Sequence, residues 1–479
     1  MTLTRQERSI ARLAPQDAEY FYNESERHRS NIVAVYLFDA TGAVGDLDRS
    51  AATAWMRDRL DQARMFTHRI RRIPLDLDLP HWELDSHLDL HRHVSAEPID
   101  GPGWEAVQRR ISRIAGTAID LTRPPWELHV ITGITGVDDS PDRMTAVVLK
   151  FHHSAGDGIA TRDLGLRLFG PAPDRLPPTP AQAPNQLVEL AWAAMMLPLR
   201  LVRFGRGLHT TQEADHRTRE LSAIGEIVEP LPTRPMCRFN SAIGTDLTFD
   251  HVRMPRDAID AVRAAVPGAT VNDVLLAAVS GALRAYLAGV DETPTGSLAA
   301  MVPMSLRGTG SGAGGDTDGP RATHLALLSV DLHTDATHPL ARLHAIVASA
   351  QAEKARHRNE HVRKSSQRIE TTPAWLLRLT GLARRFQPHT GETVALHNTM
   401  VSNVPWVGTG LTFIGAPVVR SFGVLGVVDG SGLRHLIVTS EPSAVDLTFS
   451  TDTAMMADTQ EYKRLLRASL DELVVAVRD

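Results

Sequence analysis

The segment from Met144 to Gly158 constrains the fold more than any other, because it joins an apolar run to a turn that contains two glycines. Met144 to Leu149 is apolar and partly β-branched, which is typical of a strand that is buried on both faces. Beyond Gly158, apolar residues recur at roughly helical intervals as far as Gly170. The pattern therefore predicts a buried strand that leads through a tight turn into a helix.

The turn has the sequence HHSAGDG from His152 to Gly158. Side chains alternate along a strand, so His152 and His153 cannot face the same way, and only one of them can face the chemistry. The glycines permit backbone angles that bulkier residues resist, which lets a substrate approach the main chain closely. Asp157 is near enough in sequence to orient the turn or to hold a cation. All four residues named here are candidate catalytic residues.

A neutral imidazole in this turn suits a reaction in which a hydroxyl attacks an activated carbonyl. The imidazole can take the hydroxyl proton and return it to the leaving group, which is typically worth ~10²–10⁴ in rate. If the acyl donor is a thioester, no covalent enzyme intermediate is needed. A serine hydrolase is disfavoured, because the chain has no Gly-x-Ser-x-Gly motif and Ser154 adjoins His153 too closely to be its nucleophile.

Length and composition bound the class of protein. A chain of 479 residues is too long for one ordinary core and predicts two domains. Hydrophobic residues at 43% and charged residues at 22% describe a soluble globular protein, and a net charge of −5 gives no reason to expect a nucleic-acid partner. A single cysteine, Cys237, excludes an internal disulfide and fits a reducing compartment.

The expected location is the cytoplasm, with a peripheral position on the inner membrane face or on lipid inclusions left open. The first eight residues are too charged for a secretory signal, and no apolar run approaches the ~20 residues of a membrane span. Four histidines lie between residues 81 and 93, but they fall on different faces of an extended chain without a second ligand cluster. No metal site is therefore expected.

Composition also suggests where the domains divide. Residues 171–184 are rich in Pro and Ala and lack periodicity, which marks the end of a first domain. We expect an N-terminal domain over residues 1–180, a helical or irregular linker over 181–235 and a C-terminal domain over 236–479. In the linker, an apolar helix at 187–199 precedes several arginines, so it could lie in a bilayer interface or pack between domains. The polar segment 207–235 is predicted to run irregularly over the surface.

Other segments carry candidate site residues whose simplest interpretation is structural. Pro125 and Trp126 belong to a Pro-Pro-Trp-Glu run, which by itself predicts a rigid turn with an aromatic anchor. Asn272 is predicted to be the N-cap of a long helix, with Asp273 favourable at the helix N-terminus. Arg307 ends a strand that begins at Met301, where a solvent-exposed arginine is the simplest interpretation.

Ser402 and Asn403 follow an apolar segment and precede Pro405. One interpretation is an ordinary Asx or Ser turn. In the other, both side chains donate hydrogen bonds to an oxyanion, and the sequence favours neither. Removal of an oxyanion donor often costs ~10²–10³ in rate. The two interpretations stay open on sequence alone.

The histidine turn resembles the signature of the CoA-dependent acyltransferase superfamily. The runs at Pro125–Trp126, Asn272–Asp273, 303–307 and 402–405 resemble further blocks of the bacterial wax ester synthase/diacylglycerol acyltransferases, in the family's order and over nearly the whole chain. The resemblance implies an α/β fold of two chloramphenicol-acetyltransferase-like domains with mixed sheets, joined by a partly helical linker. It also implies an active-site tunnel at the domain interface.

The resemblance further implies roles for the candidate residues. His153 would be the general base, while Asp157 would be structural and pair with an arginine. Arg307 is a candidate partner for Asp157 or for a CoA phosphate, and Pro125 and Trp126 are likewise candidates for a structural role or a CoA contact. Asn272 and Asp273 would lie near the acyl tunnel.

The implied substrates are acyl-CoA and either diacylglycerol or a long-chain alcohol, without a cofactor or a metal. Two rival functions remain from the sequence. One is an ester-forming transferase of the same superfamily that takes its acyl group from a carrier protein. The other is a catalytically silent lipid-binding protein.

Overall fold

The structure is a computed structural model that describes residues 12–42, 47–171, 186–305, 325–366, 370–386, 394–405 and 409–478. In this part of the chain, eleven α-helices and sixteen β-strands form two large sheets and two small ones. The helices are α1 (Pro15–Asn23), α2 (Arg49–Arg57), α3 (Trp104–Gly116), α4 (Gly158–Phe169), α5 (Gln186–Ala223), α6 (Arg256–Ala265), α7 (Val271–Gly289), α8 (Pro339–Arg358), α9 (Glu360–Ser366), α10 (Ala374–Phe386) and α11 (Thr459–Ala476). The strands are β1 (Asn31–Asp39), β2 (His68–Arg71), β3 (His81–Leu84), β4 (Val94–Pro98), β5 (Trp126–Ile134), β6 (Met144–His152), β7 (Arg234–Pro235), β8 (Leu247–Pro255), β9 (Ala299–Ser305), β10 (Leu325–Asp331), β11 (Val394–Ala395), β12 (Thr399–Pro405), β13 (Thr412–Phe413), β14 (Ala416–Leu425), β15 (Leu433–Glu441) and β16 (Ala444–Asp452).

The first sheet contains the strand that delivers the histidines. Its six strands have the order β13-β14-β1-β6-β5-β4. β1 pairs antiparallel with both β14 and β6, whereas β4 pairs parallel with β5, so the sheet is mixed. Every residue of β6 is buried, because α3 packs on one face of the sheet while α2 and α4 pack on the other. The predicted buried strand is confirmed.

The second sheet has the order β10-β9-β12-β15-β16-β8. β12 pairs parallel with β9 and β15, and the outer pairs are antiparallel. Helices α6, α7, α8 and α11 contribute to the hydrophobic cluster that packs on this sheet. α7 is long and apolar enough to cross a membrane, but 67% of its apolar window is buried in protein, as in a core helix. The predicted fold class, α/β with two mixed sheets, is confirmed.

No single point in the sequence separates the strands of the first sheet from those of the second. β13 and β14 come from the predicted C-terminal range 236–479, yet they extend the first sheet, where β14 pairs with β1. Phe422 and Val424 of β14 pack in the same cluster as Val33 and Val35 of β1. The range 236–479 therefore does not form a separate domain as predicted, because its strands β13 and β14 belong to the first sheet.

The linker is more helical than its composition predicts. α5 runs through residues 186–223 with Pro198 inside it, so the prediction of an irregular segment from residue 207 is wrong as far as residue 223. The second half of α5 buries small and apolar side chains, among them Thr211, Ala214, Thr218 and Leu221. α5 also packs against α9. Tertiary packing thus stabilises a helix that has little amphipathic signal of its own.

Candidate active site

The histidine motif lies where β6 ends and α4 begins. A short 3-10 turn, His153–Ala155, separates the two elements. Asp157 is the N-cap of α4, and its Oδ1 accepts a hydrogen bond from the backbone N–H of Ala160 at 2.8 Å. The backbone N–H of His153 donates to the carbonyl of Ser30 at 2.7 Å, which ties the turn to the residues before β1. The predicted strand-to-helix turn is confirmed.

His152 is a structural residue. Its side chain is fully buried, with Nδ1 at 2.6 Å from Ser154 Oγ and Nε2 at 3.2 Å from Glu24 Oε2. Glu24 also accepts the backbone N–H of Ser30 at 2.8 Å. Since both ring nitrogens are engaged and the ring is closed off from solvent, the placement of His152 argues against its candidacy as a catalytic residue.

His153 is half-buried and lies on a flat aromatic support. Its ring stacks on Tyr20 of α1 with the ring centroids 3.9 Å apart and the planes 20° apart. Nδ1 is buried and has no hydrogen-bond partner among the residues that the structure describes. Burial lowers the pKa of His153 to about 4, and the ring's own backbone carbonyl opposes this effect only in part. The imidazole is therefore neutral at pH 7.

Charged groups from two other parts of the chain, Asp17 and Arg434, act on this ring or its support. Burial, followed by the charge of Asp157, raises the pKa of Asp17 to about 7. Burial lowers the pKa of Arg434 to about 10, so this side chain remains a cation at neutral pH. The positive charge of Arg434 favours the neutral form of His153. A neutral base thus lies in the field of a half-buried cation.

Gly158 brings the histidine turn close to the second sheet. A Cβ placed on Gly158 would lie 2.8 Å from Cγ2 of Val404 in β12, which is closer than real Cβ contacts allow. Ser402 lies two residues before Val404, so it faces the same side of β12. Asn403 is exposed and faces the opposite side. The structure therefore places Ser402, but not Asn403, on the face of β12 that approaches the turn.

Trp126 begins the strand β5, which pairs with β6, and Pro125, just before it, is hydrogen-bonded to the histidine motif. The carbonyl of Pro125 accepts the backbone N–H of His152 at 3.0 Å. Trp126 is fully buried, stacks on His93 with centroids 4.6 Å apart, and donates its indole N–H to the carbonyl of Phe66 at 3.2 Å. These contacts make Trp126 an aromatic anchor of the turn, and its candidacy as a CoA contact stays a prediction.

The predicted cap at Asn272 is wrong. Thr270 is the N-cap of α7, and it forms a capping box with Asp273, whose Oδ2 accepts the backbone N–H of Thr270 at 2.9 Å. Asn272 lies inside the first turn with a buried Oδ1 that has no hydrogen-bond partner in the described ranges. In those ranges no hydrogen bond joins Asn272 or Asp273 to the histidine turn, and their place near an acyl tunnel stays a prediction.

Arg307 lies outside the described residues, as do Trp406 and residue 407, so its pairing with Asp157 stays a prediction. Asp157 has an interaction beyond its capping bond. Among the described residues, no group of three or more His, Cys, Asp or Glu side chains could hold a metal ion.

Sequence reasoning missed Tyr20, Glu24 and Arg434. Tyr20 and Glu24 lie in and just after a short N-terminal helix, and Arg434 lies in a strand far along the chain. No local pattern connects any of them with the histidine turn. The available signal was residue type alone: Tyr20 is an aromatic residue in α1, and Glu24 is a carboxylate that follows this helix.

Comparison with known proteins agrees with the resemblance. Residues 13–275 match the wax ester synthase/diacylglycerol acyltransferase catalytic domain, and residues 323–474 match the WS/DGAT C-terminal domain. A Mycobacterium tuberculosis H37Rv protein, provisionally named a diacylglycerol O-acyltransferase, is 30% identical over 478 residues, covering 97% of this chain and 100% of the relative. A second protein of that strain with the same provisional name is 26% identical over 482 residues, covering 98% of each chain.

Two solved structures share the fold. The wax ester synthase/diacylglycerol acyltransferase from Marinobacter aquaeolei VT8 superimposes with a TM-score of 0.66 at 23% identity, covering 98% of this chain and 100% of that one. The starter condensation domain of rhizomide synthetase gives a TM-score of 0.51 at 14% identity, covering 99% and 96%. The identity of both is too low to show more than the fold. On the match to the catalytic-domain family and to a relative along almost its whole length, the chain belongs to the wax ester synthase/diacylglycerol acyltransferase family of acyltransferases that act on lipids.

Proposed function

We propose that the protein transfers a fatty acyl group from acyl-CoA to the hydroxyl of diacylglycerol or of a long-chain alcohol. The acceptor oxygen attacks the thioester carbonyl, so that a C–O bond forms and the C–S bond breaks. Nε2 of His153 takes the acceptor proton and returns it to the departing sulfur, which leaves as CoA-SH. The proton and the acyl group are both accounted for, and the reaction needs neither a cofactor nor an acyl-enzyme.

The observation that carries this proposal is the state of the His153 ring. The ring is half-buried and stacked on Tyr20, and its pKa of about 4 keeps it unprotonated at neutral pH. Nδ1 is enclosed, which leaves Nε2 for the substrate. A general base needs to be both unprotonated and held in one orientation, and His153 meets both requirements.

Two groups are suited to the negative charge that forms on the carbonyl oxygen. Ser402 lies on the face of β12 that approaches the histidine turn and carries a hydroxyl donor, and the half-buried Arg434 supplies a positive charge that already acts on His153. We propose a tunnel between the α4 and β12 faces as the place where the substrates meet. Asp157 and Gly158 would shape the turn rather than take part in proton transfer.

We further propose that the protein works in the cytoplasm at the surface of a membrane or lipid inclusion. The first half of α5 exposes Val188, Trp192, Met195, Leu199 and Val202, whose spacing of four and three residues places them along one helix face. Between residues 186 and 212 the only acidic side chain is buried, while Arg203 and Arg206 are exposed. An apolar face beside cations, without exposed carboxylates, suits an anionic lipid surface.

The decisive experiment measures CoA release by His153→Ala with saturating acyl-CoA and diacylglycerol. We expect a loss of at least ~10²-fold in kcat with an unchanged near-ultraviolet circular dichroism spectrum. His209→Ala, at an exposed position on α5, is the matched control and should be unaffected. Full activity of His153→Ala would remove this residue from the mechanism.

An acceptor and donor panel tests the substrates. One labelled acyl-CoA is offered with diacylglycerol, a long-chain alcohol and no acceptor, and the same acyl group is then offered on a carrier protein. Turnover with free acyl-CoA supports the proposal. Turnover only with the carrier would favour the rival transferase, and no turnover with any pair would favour a lipid-binding protein.

A further inference from the structure

A large cleft lies away from the histidine turn, between the two sheets. Its volume is about 1700 Å³. The first sheet contributes residues of α3, and the second contributes β8 and the beginning of α11. A direct bond crosses between the halves, since the indole N–H of Trp104 donates to Oδ1 of Asp250 at 3.0 Å. The candidate roles given above to the sequence motifs use no residue of this cleft.

His251 has a buried ring nitrogen in the wall of the cleft, Nδ1, which makes no hydrogen bond to the described residues; Oδ1 of the buried Asp250 lies 3.9 Å from it, beyond hydrogen-bond distance. His251 is 6% exposed, and Nη1 of Arg420 lies 3.1 Å from Nε2 of its ring. Because an arginine can only donate, Nε2 must accept, and the proton of the neutral ring lies on Nδ1. That Nδ1 has no hydrogen-bond partner in the described part of the chain. An unsatisfied buried N–H is costly, and Asp250 is too distant to accept from it, so an acceptor supplied by a ligand in the cleft would stabilise this arrangement.

Arg420 adds a second unsatisfied donor to the same wall. It is 8% exposed, and its Nε has no hydrogen-bond partner among the described residues. His251 is held in place by Phe422, whose ring is parallel to the imidazole within 1° at 5.2 Å. The two donors are therefore fixed before any ligand arrives, which lowers the entropic cost of binding.

The charges around these donors are of both signs. Asp446, Glu441 and Asp139 act on Arg420. The buried carboxylate beside His251, that of Asp250, is itself paired with Lys463 at 3.3 Å.

Basic residues predominate around His251. Arg420, Lys463, Arg467 and Arg253 all lower the pKa of His251, after burial itself. Arg113 and Arg467 line the cleft, are exposed, and have no ion-pair partner in the described ranges. Five carboxylates also line the cleft, but all are exposed, so solvent screens them: Glu105, Asp138, Asp139, Asp246 and Asp458.

The cleft reaches toward the histidine turn. Thr117 lines it, and the carbonyl of Thr117 accepts a hydrogen bond from Nδ2 of Asn31 at 2.9 Å. Asn31 is the residue of β1 that pairs with His152. Asn31 of β1 therefore links Thr117, at one end of the cleft, to the strand that carries the histidine motif.

We propose that this cleft binds a phosphate-bearing anion through Arg420 and His251, and that the phosphates of acyl-CoA are its source. The choice of acyl-CoA rests on the proposed function. Phosphate oxygens accept hydrogen bonds from arginine and histidine N–H groups and are attracted by the surrounding cations. The ligand would lie in the cleft with its thioester arm directed past Thr117 toward His153.

The test compares the double variant Arg113→Gln/Arg467→Gln and the variant His251→Phe with the unaltered protein. Both arginines are exposed, so the double variant should fold, and phenylalanine keeps the stacking on Phe422 but removes the Nδ1 donor. Arg464→Gln is the control, because Arg464 lies on the same helix, is exposed, and pairs with Glu461 outside the cleft. Titration calorimetry measures Kd for CoA and inorganic pyrophosphate, and flotation measures binding to phosphatidic acid vesicles.

We expect both variants to raise the Kd for CoA and the KM for acyl-CoA about tenfold, with kcat and the acceptor KM unchanged. Unchanged Kd values for CoA and pyrophosphate in both variants would overturn the inference. If the variants lose binding only to phosphatidic acid vesicles, a lipid headgroup replaces acyl-CoA as the source. If the unaltered protein neither binds CoA nor releases it from acyl-CoA, the proposed function fails. In that case, pyrophosphate binding that is lost in His251→Phe would still support the phosphate site.

Discussion

Tyr20 supports His153 through its ring face rather than through its hydroxyl. The two rings are 3.9 Å apart, and burial raises the pKa of Tyr20 to about 12, so the hydroxyl stays protonated. Tyr20→Phe should keep nearly full activity, whereas Tyr20→Ala should lower kcat about tenfold, because the imidazole loses its fixed orientation. The measurement is steady-state kinetics with acyl-CoA and diacylglycerol. Equal losses in both variants would contradict a role in stacking.

The titration of His153 should set the acidic limit of activity. A base works only when unprotonated, and burial lowers the pKa of His153 from 6.5 to about 4. We therefore expect kcat/KM for acyl-CoA to persist as the pH falls through 6.5 and to be lost only near pH 4. Asp17→Asn removes the neighbouring group that titrates near 7 and should leave this acidic limit in place. A limit near pH 6.5 in both proteins would contradict the lowered pKa.

The residues of the turn itself were predictable, but their supports were not. His153, Asp157 and Gly158 follow one another in sequence, so a local pattern can identify them. Tyr20 and Arg434 reach the same place only through the packing of α1 and β15, which no local pattern contains. The error at Asn272 has a different cause, because Thr270 and Asp273 already have the spacing of a capping box in the sequence.

At the scale of elements, the approach of α4 to β12 depends on the absence of a side chain. Gly158→Ala would place its Cβ 2.8 Å from Cγ2 of Val404, so the two elements must move apart. We expect activity to fall at least tenfold, because small displacements of catalytic groups are costly. Gly158→Ala/Val404→Ala removes the clash and should recover most of the activity. Failure of the second substitution to restore kcat would show that another property of Gly158 matters.

The exposed face of α5 should determine binding to lipid surfaces. Trp192→Glu/Met195→Glu introduces charge where these side chains are 45% and 60% exposed, so the fold should tolerate it. We expect the variant to lose flotation with phosphatidylglycerol vesicles, since acidic residues oppose both the apolar contact and the anionic lipid. Val475→Glu, at a 57% exposed position on α11, is the control. Equal flotation of all three proteins would show that α5 is not the contact.

At the scale of the whole molecule, the sequence predicted two mixed sheets but not how the chain is shared between them. The two-domain architecture with mixed sheets came from the family resemblance, because no repeat between the two halves is visible in the sequence. The return of β14 to the first sheet depends on pairing between residues that are far apart in sequence. Strand propensity can predict that 416–425 is a strand, but it cannot identify the partner of that strand.

This shared sheet predicts that the first half of the chain cannot fold alone. A fragment of residues 1–235 lacks β14, which leaves β1 unpaired on one edge and removes Phe422 and Val424 from the cluster around Val33. An exposed apolar edge strand promotes aggregation, so we expect the fragment to be insoluble or to lack a cooperative thermal transition. The full chain, measured alongside it by circular dichroism and calorimetry, should unfold in one transition, because the second half of the chain supplies β13 and β14 to the first sheet. A soluble monomeric fragment with a sharp melting transition would instead mean that the first sheet is stable without β14, and that the two halves of the molecule are separate folding units.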